Sequence, residues 1–267
     1  MKENNNPITL RLCIFLEIVI EKAIMSSPTR LDLFLSHAGF CSRRKANDLI
    51  KKGEITINHW PVTDPCYELQ PKDTVRYLKQ VITAQPTDEP VYVLLYKPAG
   101  YVTTASDDKN RRTIFSLIGD GKFKSRLFPI GRLDINTTGI LLITNDGHVT
   151  HKLAHPRYEV EKVYQVILDK PLSQESYKAI KHGLHLKDGP ISVDKLEIGY
   201  TPSSVRITIH SGRNRIVRRI FESQGYTVTK LERIGFAGLT KRGLALGQWR
   251  FLNKREIASI KKLAADK

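Results

Sequence analysis

Apolar residues in the first part of the chain recur at helical spacing. Leu31, Phe34, Leu35 and Ala38 fall at i, i+3, i+4 and i+7, which predicts a helix capped by Thr29 and ended by Gly39. Ser42 is placed to cap a second helix, with Ala46, Leu49 and Ile50 inside and Gly53 as its stop. Ile55 and Ile57 then begin short strands, and residues 80–90, containing Gln85-Pro86-Thr87-Asp88-Glu89-Pro90, read as a linker. Beyond it the pattern changes. Val91–Tyr96 and Ile140–Ile143 are continuous apolar runs, closed by Lys97-Pro98-Ala99-Gly100 and Asn145-Asp146-Gly147. Val160–Leu168 and the alternating Val205, Ile207 and Ile209 predict further strands, and Ile216, Val217 and Ile220 the buried stripe of a helix. Strands and helices mix without a repeat, so the predicted class is α+β, with a small N-terminal α/β unit over 29–79 and a second domain over 91–260. Residues 1–28 look unlike the rest. Met25 is the only methionine besides Met1. The stretch is expected to be either a short extension, disordered in solution, or the product of a start placed too early.

Charge changes the picture from fold to partner. The chain has 267 residues, 43 Lys+Arg against 27 Asp+Glu, and a formal net charge of +16. An apolar fraction of 40% supports a packed core and excludes wholesale disorder. The excess points to a polyanion. It is concentrated: residues 206–255 hold 12 Lys and Arg against 2 Asp and Glu. On the second predicted helix, Arg44 and Lys51, and Lys45 and Lys52, lie seven residues apart on one face. A solvated helix face is the usual meaning of such residues, but with only Asp48 of opposite sign the excess favours phosphate contact.

Other chemistries are excluded by what the sequence does not combine. Cys13, Cys41 and Cys66 match no zinc or redox spacing, and a sparse, odd count suits a reducing cytosol. No apolar run reaches the roughly 20 residues of a membrane span. The nearest, Ile8–Ile20, is interrupted by Arg11 and Glu17 and lacks a cleavage site. His148, His151 and His155 would cluster on a helix, but no cysteine or carboxylate accompanies them, so no metal is expected. No phosphate-cradling glycine loop or dinucleotide fingerprint is present, so no cofactor is expected.

Gly131-Arg132-Leu133-Asp134-Ile135-Asn136-Thr137-Thr138-Gly139 precedes the Ile140 strand directly. A carboxylate on such a loop can be held rigidly and desolvated, although a lone Asp there more often caps a turn. The whole string, G-R-L-D-x-x-T-x-G followed by L-L-x-T-N-D-G, resembles the catalytic loop of pseudouridine synthases that modify ribosomal RNA. It is most similar to the RsuA family, whose type A acts on small-subunit RNA and whose types B, E and F act on large-subunit RNA. The stretch from Arg30-Leu31-Asp32 to Thr56-Ile57-Asn58 resembles the small RNA-binding domain named after ribosomal small-subunit protein four, with His59 where that domain usually has Gly. Leu153-Ala154-His155-Pro156, Glu161-Lys162-Val163-Tyr164, Ser211-Gly212-Arg213-Asn214-Arg215-Ile216-Val217-Arg218-Arg219, Leu231-Glu232-Arg233 and Gly247-Gln248-Trp249-Arg250-Phe251-Leu252 extend the match over nearly all of residues 29–255. Ile216 replaces the family's usual Gln.

The resemblance implies a mixed, mainly antiparallel sheet flanked by helices in the second domain. It implies isomerisation of a uridine in ribosomal RNA, more specifically large-subunit RNA, to pseudouridine. Asp134 is then the catalytic carboxylate, Tyr164 the tyrosine that packs on the base, and Arg218 the basic residue that pairs with Asp134 and keeps it ionised. Arg215, Arg218 and Arg219 are expected to share one helix face. RNA contacts are expected from Arg43, Arg44, Lys45, Lys51, Lys52, Arg132, Lys162, Arg213, Arg215 and Arg219. Trp249 is read as packing. The expected partner is ribosomal RNA or a ribosomal subunit precursor, with no membrane and no nucleotide cofactor, and the chain acts as a cytoplasmic monomer. A non-catalytic RNA-binding or ribosome-assembly protein explains the charge equally well, but has no need of Asp134, Tyr164 and Arg218 together. A hydrolase using Asp134 lacks a second carboxylate or metal cluster.

Overall fold

The computed structural model describes residues 29–83, 89–105, 107–119, 123 and 126–265. The expectation for residues 1–28 lies outside the described residues. Two compact units divide between Glu89 and Pro90.

The first unit runs β1 (Thr29–Arg30), α1 (Leu31–His37), α2 (Arg43–Lys51), β2 (Ile55–Ile57), β3 (Trp60–Pro61), β4 (Glu68–Leu69), β5 (Val75–Tyr77) and β6 (Gln80–Ile82). Its core places Leu31, Leu35, Ala46, Leu49 and Ile50 of the helix pair against Ile55, Ile57, Val75 and Ile82 of a sheet ordered β3-β2-β5-β6. Ser42 caps α2 as predicted, accepting from the Lys45 amide at 3.2 Å. Thr29 does not cap α1: it pairs with Leu69 in β1, and Arg30 occupies the cap position without a side-chain bond. The predicted linker also begins too early. Gln80–Ile82 pairs with β5, because Ile82 completes the sheet's buried face.

The second unit runs β7 (Tyr92–Lys97), α3 (Phe115–Ile118), β8 (Phe128–Pro129), β9 (Thr138–Thr144), α4 (Gly147–Ala154), β10 (Lys162–Leu168), α5 (Gln174–His182), β11 (Leu184–Leu186), β12 (Gly189–Ile191), β13 (Lys195–Ile198), β14 (Ser204–Ile209), α6 (Ile216–Glu222), β15 (Val228–Phe236), β16 (Leu239–Thr240), β17 (Trp249–Phe251) and α7 (Lys254–Ala265). The last helix carries the domain past residue 260, its Ile260 and Ala264 being buried. The main sheet is ordered β13-β14-β10-β15-β9-β7-β17, with β8 on β9 and β16 on β15. Every pairing in it is antiparallel except β15 with β9, a short parallel contact of Glu232 with Thr138 and Arg233 with Gly139.

The continuous apolar runs now have a physical cause. Val93, Leu95, Leu141 and Ile143 face one core, which also receives α5 and α6. Tyr92, Leu94, Ile140 and Leu142 face a second core filled by α4 and α7. A strand buried on both faces has no reason to alternate. In β10 only Tyr164, Val166 and Leu168 are buried, and alternation returns.

Candidate active site

The Asp134 loop lies between β8 and β9 and is pinned from below. Leu133 is buried in the core, and its backbone N–H and C=O both bond the Thr103 hydroxyl, at 3.2 and 2.8 Å. Lys97, at the end of β7, is fully buried. Its Nζ donates to the carbonyls of Pro98, Asp134 and Thr137 at 3.0, 3.1 and 2.9 Å and lies 3.4 Å from that of Ile135. Burial pushes this lysine down to about 8, partly offset by attraction to Asp134. The loop's backbone is thus tied to a buried ammonium while the Asp134 side chain, 40% exposed, projects into a cavity of about 370 Å³.

The opposite wall comes from β10, β15 and the segment leading into α6. Tyr164 is buried in β10, opposite Arg233 of β15. The Arg233 guanidinium is fully buried. Its Nε donates to the Ile140 carbonyl at 2.9 Å, and it stacks 4.8 Å from the Phe236 ring centroid. Burial lowers its pKa from the usual arginine range, and the attraction of Tyr164 works against that. Gly139 makes the arrangement possible. It adopts φ +129°, and a Cβ there would stand 2.4 Å from both the Arg233 amide nitrogen and carbonyl oxygen. Only glycine lets β9 and β15 approach so closely.

The cation paired with Asp134 is Arg215, at 3.8 Å, not Arg218. The expected shared face of Arg215, Arg218 and Arg219 does not form, because α6 starts only at Ile216. Arg215 is its left-handed N-cap residue, at φ +48°, and reaches back into the cavity. Arg218, one turn on, points to β15 and donates to the Val228 carbonyl at 2.7 Å. Burial and Arg215 lower its pKa, while the field of Asp134 raises it. Arg219 turns the third way, bonding the Asn214 carbonyl and pairing with Asp188 at 2.8 Å. Ile216, in place of the family's usual Gln, is buried and lines the cavity.

The remaining expected RNA contacts divide similarly. Arg132 is exposed at the mouth and lines both this cavity and an adjoining one of about 760 Å³ that reaches Thr103, Thr104, Asp107 and Arg111. Lys162 lines the first cavity with its Nζ on the Val160 and His210 carbonyls. Arg213 is exposed, 3.9 Å from Asp188. In the first unit Arg43 holds the fully buried Asp32 at 2.7 Å, whereas Arg44, Lys45, Lys51 and Lys52 are exposed. Trp249 packs edge-on against Phe123 and Phe251. His151 and His155 contact each other and Tyr158 as rings, and among the described residues no group of His, Cys, Asp or Glu has metal-holding geometry. No helix among the described residues is long and apolar enough to cross a membrane.

Comparison with known proteins identifies the family of both units. A family model described as RNA pseudouridylate synthase matches residues 91–223, and the S4 domain model matches residues 29–75. The chain is 38% identical over 243 residues to ribosomal large subunit pseudouridine synthase B of Bacillus subtilis, covering 88% of this chain and 96% of that protein. It is 33% identical to the dual-specificity RNA pseudouridine synthase RluF of Escherichia coli K12, covering 89% and 80%. A crystal structure of a pseudouridylate synthase superposes with a TM-score of 0.63 at 29% identity, covering 86% of this chain and 99% of that one.

Proposed function

Because the chain belongs to the RNA pseudouridylate synthase family, we propose that its substrate is a uridine of ribosomal RNA, in the large subunit, turned out of its stack into the Asp134 cavity. The observation that carries this reading is the convergence of Asp134, Tyr164, Arg215 and Arg233 on one cavity in a chain whose first unit presents an exposed basic helix. Support for the large subunit comes from the Bacillus subtilis relative. We place the enzyme in the cytoplasm, as a monomer.

The reaction is an isomerisation. The bond from uracil nitrogen 1 to the ribose breaks, the base turns, and its carbon 5 joins the same sugar carbon. Carbon 5 gives up a proton and nitrogen 1 gains one, so neither oxidant nor nucleotide is required. Asp134 is the anion that starts bond breaking, by attack on the sugar or by stabilising its altered form. Arg215 balances that charge from 3.8 Å. Tyr164 orients the base, with the buried Arg233 opposite it on the neighbouring strand. Arg132 and Lys162 take phosphates at the mouth, and a base removed from its stack is what the cavity admits. A protein that only bound RNA would not require a buried arginine clamped behind a tyrosine opposite a half-exposed carboxylate.

Asp134→Asn keeps the side chain's size and removes its charge. Single-turnover conversion of a transcribed large-subunit RNA fragment should fall by several orders of magnitude, roughly 4 kcal/mol or more of barrier, with RNA affinity retained. Near-wild-type turnover would remove Asp134 from the chemistry. Mapping pseudouridines in ribosomal RNA with and without the gene identifies the target.

A further inference from the structure

Among the described residues of the first unit, one aromatic side chain is left largely uncovered by its own fold. Trp60 of β3 pairs with Ile57, and the same row continues through Val75 to Ile82. Those three are 4%, 2% and 8% exposed, whereas Trp60, at the sheet edge, is 75% exposed. A tryptophan in a core-facing row gains by burial, so its exposure at the open end of that row points to an external surface that covers it.

The side chain is presented on a fixed base. Asn58 and His59 form the β2–β3 turn with φ of +51° and +74°, both left-handed. Asn58 is tied down on two sides, donating to the Asp73 carboxylate at 2.7 Å and accepting from the Thr74 amide at 2.9 Å. Asp73, the acid at this turn, is also engaged by the Gln70 amide and the Tyr67 hydroxyl. From Trp60 the chain continues to Pro61 and Thr63, which lie against the end of α2. A Cβ added to Gly53 would stand 4.0 Å from the Pro61 Cβ and 3.9 Å from the Thr63 Cγ2. Gly53 directly follows Lys51 and Lys52, both exposed. An open indole therefore neighbours the basic end of a helix.

We propose that Trp60 is a stacking platform for an unpaired base of the RNA, with Lys51 and Lys52 taking the adjacent phosphates. Any base offers a face that stacks on an aromatic ring, and binders of single strands combine such rings with cations along the backbone. A blunt duplex keeps its bases stacked on one another and offers Trp60 nothing. The inference rests on the reading of the chain as an RNA-modifying enzyme and adds a contact outside its catalytic cavity.

The test compares full-length wild type, Trp60→Ala and Trp60→Phe on a short unstructured oligouridylate and on a blunt RNA duplex of equal length. The oligouridylate should quench the wild-type emission but not that of Trp60→Ala. Its affinity should fall roughly 5- to 100-fold in Trp60→Ala and recover largely in Trp60→Phe. The salt slope should stay constant, since every phosphate keeps its cation. Duplex affinity and thermal midpoint should not change. Equal oligouridylate affinity in Trp60→Ala and wild type overturns the proposal, as does an equal fall on the duplex. Pseudouridine formation by the wild type is scored separately; its failure would defeat the enzymatic reading and leave the stacking result intact.

Discussion

Replacing Lys97 by Met removes the ammonium under the Asp134 loop without changing the length of the side chain much. After the change, the Asp134 carbonyl keeps the Thr137 amide as a donor, at 3.0 Å, and the Ile135 carbonyl keeps that of Gly100, at 2.8 Å. The carbonyls of Pro98 and Thr137 are the two that lose a donor outright. At about 1–3 kcal/mol for each buried polar group left unpaired, the loss is about 2–6 kcal/mol. Against it stands the cost of burying the charge. The distance from 10.5 down to about 8 corresponds to about 3 kcal/mol at neutral pH. The two effects nearly offset, so Lys97→Met should unfold within about 3 kcal/mol of the wild type. Turnover should fall roughly 100-fold, the cost of a displacement of about 1 Å at a catalytic group.

The pH dependence adds a second check. Below pH 8 the lysine is protonated in folded and unfolded chains alike. Between about 8 and 10.5 the unfolded chain holds a proton that the folded chain has released, so this group's contribution to stability rises with pH across that window. Over the same window the neutral amine holds the loop carbonyls less firmly, and wild-type turnover should decline with an apparent pKa near 8. The assay is single-turnover pseudouridine formation across that range, beside denaturant unfolding of both proteins. Wild-type turnover in Lys97→Met, or an alkaline decline near pH 8 that persists in it, would refute the reasoning.

Two further outcomes follow from residues described above. Gly139→Ala should destabilise the protein by roughly 3 kcal/mol or more, measured by denaturant unfolding, because the new Cβ meets Arg233 backbone that is not free to move and the residue must still adopt φ +129°. Lys45→Glu with Lys52→Glu should weaken RNA binding and reduce the log–log salt slope by roughly 0.7 to 0.9 for each phosphate left without its cation, with the second domain's thermal unfolding unchanged; an unaltered slope would assign both lysines to solvent.

The sequence is most legible where local chemistry decides the structure. The Ser42 cap, the helix pair and the two apolar strand runs need only neighbouring residues to form. The Asp134 loop and Tyr164 are readable because their motifs are contiguous. What stays hidden depends on encounters between distant parts of the chain. Lys97 reads as punctuation before Pro98, and only the folded loop, some 40 residues away, encloses it. Arg233 does carry a signal: it alternates with Glu232 between Leu231 and Gly235, on the inward period of its strand. The exchange of Arg218 for Arg215 has a narrow cause. Helical periodicity, carried back one residue too far, places Arg215 inside α6, and the residue outside the helix is the one that reaches Asp134.

The single parallel contact between β9 and β15 divides the second unit's main sheet into two antiparallel blocks. Lys97 and Asp134 come from the block containing β7, β9 and β17. Tyr164, Arg215 and Arg233 come with β10, β14 and β15. The chain completes the second block before β17 returns to β7 and closes the first. Each block can hold its own ladder of hydrogen bonds while the catalytic groups remain apart. A species with both blocks formed and Gly139 not yet seated on Arg233 would show nearly native secondary structure and no activity. Recovery of turnover after denaturation should therefore trail recovery of strand content, by the time the two blocks take to dock.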